Sequence, residues 1–190
     1  MNAHTSHEFG SQTTTNIGTI YLGAGCFWGV EHTFQQLTGV LDTKVGYMGG
    51  TTQAPTYEEV CTKATHHAEV VKVVWDNDKL SLELLLHVFF HLHDPTQLNR
   101  QGPDIGTQYR SCIFVTQTEE LMLAQQALQA AQHRYTQPIV TTLTLVTPDT
   151  TPFWEAEGYH QSYFQQHPLR AMCHRVDLPA ILKQFNAKPQ

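Results

Sequence analysis

Thr19-Ile20-Tyr21-Leu22-Gly23-Ala24-Gly25-Cys26-Phe27-Trp28-Gly29 decides how this chain begins to fold. The apolar residues 19–23 predict a strand, and the run from residue 26 predicts a helix to residue 37 that stops near Gly39. A thiol therefore stands where a strand turns into a helix. Backbone N–H groups left unpaired at a helix start, with the positive end of the helix dipole, favour thiolate over thiol, so Cys26 is a candidate nucleophile. Gly23, Gly25 and Gly29 are expected to let another molecule approach the sulfur, with Phe27 and Trp28 as an apolar wall beside it.

Outward from this junction, residues 40–47 predict a second strand closed by the turn pair Gly49-Gly50, and residues 57–62 a short helix. Residues 68–75, with Val70, Val71, Val73 and Val74, carry the strongest strand pattern in the chain. Ser81 is placed to cap a helix through Leu92, whose Leu82, Leu85, Leu86, Phe89 and Phe90 form a broad apolar stripe ended by Pro95. Residues 94–109 show no period and are long for a connection, as functional loops often are. Residues 111–115 and 140–146 read as strands on either side of a helix over 119–133, followed by a helix over 155–165 and a loose C-terminal segment from about 166. Strands and helices interleave without a regular βαβ repeat. The expected architecture is a single α+β domain over 17–190, layered helices on sheet, behind a disordered tail over 1–16.

The formal charge is −6 over 190 residues and the pI about 6.0, with Lys and Arg scattered, so neither nucleic acid nor a membrane is an expected partner. The four cysteines, Cys26, Cys61, Cys112 and Cys173, are far apart and form no C-x-x-C pair, which excludes a zinc ribbon or a dense disulfide framework and favours a reducing compartment. With no signal-like start and no apolar run of about 20 residues, the expected location is the cytoplasm.

A nucleophilic thiolate needs a proton source and a site for oxygen. His66-His67-Ala68-Glu69 places a carboxyl at the start of the valine strand, where desolvation would let Glu69 hold a proton near neutrality and act as an acid. Tyr47, in Gly46-Tyr47, and Tyr109, in Asp104-Ile105-Gly106-Thr107-Gln108-Tyr109, offer phenolic O–H groups that can donate to oxygen without adding charge. Cys61 and Cys112 lie in or beside apolar segments and read as inert core residues, with Cys61 the weaker alternative as a second redox thiol. His87 and His91 are four apart, yet no H-E-x-x-H motif or Cys/His set accompanies them, so no metal is expected. A cysteine protease using Cys26 and His160 lacks the C-G-[SA]-C signature; a binding module that recognises its ligand without chemistry would not need Glu69 or Cys173.

Taken together in chain order, Gly25-Cys26-Phe27-Trp28-Gly29, Gly46-Tyr47-Met48-Gly49-Gly50, His67-Ala68-Glu69, His93-Asp94-Pro95-Thr96, Asn99-Arg100-Gln101-Gly102, Gly106-Thr107-Gln108-Tyr109-Arg110-Ser111 and Tyr159-His160-Gln161 resemble the peptide methionine sulfoxide reductase A family. The resemblance implies a two-layer sandwich with a ferredoxin-like core and a mixed sheet. It further implies reduction of the S epimer of methionine sulfoxide, free or in oxidised proteins, with thioredoxin as external reductant; a monomer with no bound cofactor is the expected form. By position, Cys26 resembles the catalytic cysteine, Phe27 and Trp28 the wall for the S-methyl group, and Glu69 the acid. Tyr47 and Tyr109 resemble the oxygen donors, Asp104 a supporting polar residue and Cys173 the resolving thiol that forms a disulfide with Cys26. His66 stands where the family commonly has Gly, and Gly158 where an acidic residue is usual.

Overall fold

The structure, a computed structural model, describes residues 16–170 and 176–187. Nearly all of the expected tail, and Cys173, lie outside the described residues.

Six elements build the core: β1 (Ile17–Ala24), α1 (Phe27–Gln35), β2 (Val40–Met48), β3 (Ala68–Asp76), α3 (Leu82–Leu92) and β6 (Ser111–Val115). A short α2 (Tyr57–Cys61) precedes β3, and a hairpin of β4 (Arg100–Gln101) and β5 (Asp104–Ile105) precedes β6. Their strands lie in the order β6-β1-β3-β2, all antiparallel, which is the ferredoxin-like βαββαβ arrangement. Beyond β6 runs β7 (Thr142–Leu145) in parallel, reached through α4 (Thr118–Gln132); beyond β2 sits β8 (Trp154–Glu155). The sheet is therefore mixed, as expected.

Side-chain alternation sends Val71, Val73 and Trp75 of β3 and Leu22 and Ala24 of β1 to one face, where they pack with Phe27, Val30 and Phe34 of α1 and Leu85, Leu86 and Phe89 of α3. The opposite face carries a smaller cluster of Met48, Ala68, Val70, Cys112 and Phe114, against which Tyr21 and Phe153 pack. Gly23 serves this packing rather than a ligand: a Cβ there would lie 2.5 Å from Cys112 Sγ and 3.1 Å from the Glu69 carbonyl oxygen. Ser81 caps α3 through Leu84 N at 3.2 Å, as the sequence indicates.

Residues 155–165 depart from the predicted helix. The edge of β2 captures the chain instead: Gly46 pairs with Glu155 and Tyr47 with Trp154, and the Gln161 amide bonds both backbone groups of Val45 at 2.9 Å. A 3-10 turn over Gly158–His160 and a one-turn α5 (Tyr163–Gln166) follow. The segment expected to be loose from about 166 contains α6 (Leu178–Asn186), capped by Asp177 on Ala180 N at 3.0 Å, with Leu178 and Ile181 buried in the main core. Asp94 ties down the long connection after α3, accepting from Thr96 N, Thr96 Oγ1 and Gln97 Nε2. His66 adopts φ +58, the left-handed region glycine fills most cheaply, and its carbonyl accepts from Arg110 Nη1 at 3.1 Å. Among the described residues, no helix is long and apolar enough to cross a membrane.

Candidate active site

Gly25, at φ +91, makes the turn that ends β1 and sets Cys26 at the N-cap of α1, partly exposed. The first N–H of the helix, on Phe27, donates to Glu69 Oε2 at 3.1 Å. Register explains how a residue 42 positions away arrives there: Glu69 shares the helix-facing side of β3 with Val71 and Val73, directly opposite Tyr47 of β2. Only 2% of Glu69 is exposed. The predicted nucleophile and the predicted acid thus meet at the start of one helix.

Tyr109 ends the 3-10 turn Thr107–Tyr109 that follows the β4–β5 hairpin. Burial, and then the negative charges of Glu69, Asp104, Cys61 and Cys26, push its phenol well above the usual range, so it stays a donor at any physiological pH. Asp104, half-buried on β5, enters the site through this influence on Tyr109.

Tyr57 belongs to the same cluster and was not singled out by the sequence. A capping box, with Thr56 and Glu59 bonding each other's backbone N–H groups, starts α2 and fixes Tyr57 as its first residue. Its phenol is pushed up by burial first, then by a hydrogen bond to the Cys61 thiol and by the charges of Glu69, Cys61 and Tyr109. Cys61 itself is exposed at the end of α2 rather than in the core. Cys112 is the inert core thiol expected, fully buried and pushed up to about 11.

Tyr47 takes a different position from the one its motif suggests. It is fully buried, and its hydroxyl donates to Glu157 Oε2 at 2.9 Å. The other oxygen of Glu157 accepts the Tyr57 backbone N–H at 2.8 Å, so one carboxylate clamps both tyrosines. Burial acts to raise Glu157, but hydrogen bonds from its own backbone, Tyr57 and Tyr47 outweigh it and hold the group below the usual carboxylate range.

The wall of the site is aromatic. Trp28 stacks on Tyr163 with ring centroids 3.8 Å apart and planes 7° from parallel, and its indole N–H donates to His160 Nδ1 at 3.1 Å. His160, 1% exposed, packs its ring 5.2 Å from Phe27 and 4.6 Å from Tyr57. Acceptance at Nδ1 assigns its proton to Nε2, which lies 3.8 Å from Glu157 Oε2 and makes no hydrogen bond among the described residues. Histidines away from the site are held by carbonyls and hydroxyls: His91 Nδ1 with His87 O at 2.7 Å, and His93 Nε2 with Ser111 Oγ at 2.8 Å.

Burial holds both His160 and His67 below the ordinary histidine range. Below about pH 6.5 the unfolded chain takes up protons that the folded chain refuses, so stability is lost as the pH is lowered, by up to about 1.4 kcal/mol per pH unit for each such histidine. The fall ends once the folded histidines are themselves protonated. The denaturant midpoint is expected to be lower at pH 5.5 than at pH 7.5, with His160→Gln flattening the slope. An unchanged slope in that variant rules out His160 as a source.

A cysteine at a helix N-terminus, a buried carboxyl bonded to that same helix and two protonated phenols beside them form a centre suited to attack on an oxygen-bearing atom that must be protonated to lose its oxygen. The peptide methionine sulfoxide reductase family profile matches residues 18–189. Peptide methionine sulfoxide reductase MsrA of Acidobacterium capsulatum is 53% identical over 154 residues, covering 80% of this chain and 96% of the relative. Reduced Mxr1 of Saccharomyces cerevisiae superposes with a TM-score of 0.78 at 34% identity, covering 84% of this chain and 92% of its own. Mxr1 in complex with Trx2 matches with a TM-score of 0.57 at 22% identity, covering 89% of this chain and 96% of its own. The chain belongs to the peptide methionine sulfoxide reductase family.

Proposed function

We propose that this enzyme reduces the S epimer of methionine sulfoxide, free or in oxidised proteins, with thioredoxin as the final reductant. The observation that carries the reading is the bond from Phe27 N–H to the buried Glu69, which places a carboxyl beside the nucleophile's helix start. The substrate's S-methyl group rests on Phe27 and Trp28. Its oxygen faces Glu69, Tyr57 and Tyr109, while Tyr47 holds Glu157 in place from below.

In the first step the Cys26 thiolate attacks the sulfoxide sulfur to form an S–S bond as Glu69 protonates the oxygen; the hydroxyl then passes to Cys26 Sγ while the S–S and methionine S–O bonds break, leaving methionine and a Cys26 sulfenic acid. Burial suits Glu69 to this task because it disfavours the charged carboxylate. The phenols stabilise charge on oxygen as it develops. In the second step the Cys173 thiol attacks Cys26 Sγ, releasing water and leaving a disulfide. A thioredoxin dithiol then reduces that disulfide, regenerating both thiols and becoming oxidised itself. The complex of yeast Mxr1 with Trx2 supports this choice of reductant.

Mixing reduced enzyme with each purified epimer and no other reductant tests the reading: one equivalent of methionine should form from the S epimer and none from the R. Absence of methionine from both sinks it. Cys173→Ser should give that same single equivalent and then stall with thioredoxin, and cycling at the wild-type rate removes Cys173 from the mechanism. Tyr57→Phe and Tyr109→Phe should each slow the single turnover about 10- to 100-fold by removing an oxygen donor. Tyr47→Phe, by contrast, should lower stability more than rate. The opposite ranking would return the donor role to Tyr47.

A further inference from the structure

Glu31 is a second buried carboxyl, 1% exposed, that the reaction does not use. Its Oε1 accepts from Thr43 Oγ1 of β2 at 3.0 Å and its Oε2 accepts the backbone N–H of Ser162 at 2.8 Å. Ser162 sits at φ +50 and ψ 40, a left-handed conformation that is unfavourable for a residue with a side chain and needs to be held. Gln35 reinforces the hold, its Nε2 reaching both Thr43 Oγ1 and Ser162 Oγ, and Gln165 Nε2 donates to Gln35 Oε1. The residue after Ser162 is Tyr163, the ring that lies flat on Trp28.

These contacts close a ring. Trp28 and Glu31 are three apart on α1 and share a face, and they grip two consecutive residues of the incoming chain, one by stacking and one by hydrogen bond. Without Glu31 the partly buried Ser162 N–H loses its acceptor, the left-handed turn relaxes and Tyr163 no longer backs the indole. We infer that Glu31 is a positioning residue that sets the pose of Trp28 through Ser162 and Tyr163, and thereby the enzyme's affinity for the substrate's methyl group. The inference rests on the reading of Trp28 as the methyl wall.

Kinetics of Glu31→Ala and Glu31→Gln on methionine sulfoxide test it, alongside Trp28→Ala. Glu31→Ala should raise KM about three- to tenfold, the scale of one aromatic stack, while the limiting rate of the first turnover changes less than about twofold. Glu31→Gln should restore KM, because its amide oxygen still accepts from Ser162 while its NH2 can donate to Thr43 Oγ1. Adding Ser162→Gly to Glu31→Ala should recover part of the loss, since glycine holds the left-handed turn unaided. Should alanine at this position not fold, Glu31→Leu fills the space and is read in the same way. A wild-type KM in the alanine or leucine variant, or equal losses in alanine and glutamine variants, overturns the inference. A wild-type KM in Trp28→Ala instead overturns the methyl-wall reading, and no methionine from wild-type enzyme overturns the proposed reaction.

Discussion

Cys26→Ser is expected to bring single-turnover methionine formation down to background, a loss on the order of 10⁴-fold or more. A serine hydroxyl occupies almost the same place, yet it stays protonated where a thiol is within reach of ionisation, and a helix dipole is too weak to close that gap. The variant separates chemistry from folding unusually well. Residue 26 is the N-cap of α1, where serine is among the preferred residues, so the melting temperature should stay level or rise. Methionine released at a measurable fraction of the wild-type rate by this variant ends the nucleophile assignment; inactivity with a collapsed melting temperature shows only that the junction failed to fold.

Glu69→Gln is expected to slow the same step about 10²- to 10⁴-fold, the range for loss of a positioned general acid, with little change in KM. The amide can still accept the Phe27 N–H, so the start of α1 keeps its anchor. What it cannot do is release a proton to the departing oxygen. Rapid-quench measurement of methionine should show the deficit shrinking as the solution is acidified, because solvent protons then substitute for the missing acid. A rate within about threefold of wild type across the pH range means protonation comes from elsewhere, with Tyr57 and Tyr109 next to be tested.

The valine run of β3, the apolar stripe of α3 and residues 111–115 were legible because each element's own residues settle its fate: buried strands and a stripe-faced helix carry their pattern locally. Cys26 was legible for the same reason, its junction being written in adjacent residues. Residues 155–165 were not, because an edge strand takes up only Trp154 and Glu155 and the hydrogen bonds that fix the rest come from Val45 and Glu31, more than a hundred positions upstream. Tyr57 and Glu157 escaped for a related reason: the pairing of Tyr47 with Glu69 across β2 and β3, and the clamp of Glu157 on both tyrosines, exist only once the sheet is assembled. For α6 the signal was present, since Asp177, Pro179 and the spacing of Leu178, Ile181, Leu182 and Phe185 spell a capped amphipathic helix.

The hydrogen bond from Trp28 to His160 joins residues 132 apart in sequence. A chain emerging from the ribosome therefore exposes its reactive sulfur long before the segment that backs the indole has been synthesised. Until that segment arrives the Trp28 ring lacks both the Tyr163 ring it stacks on and the His160 nitrogen its N–H bonds, so a chain stopped before residue 160 leaves this indole unheld beside Cys26.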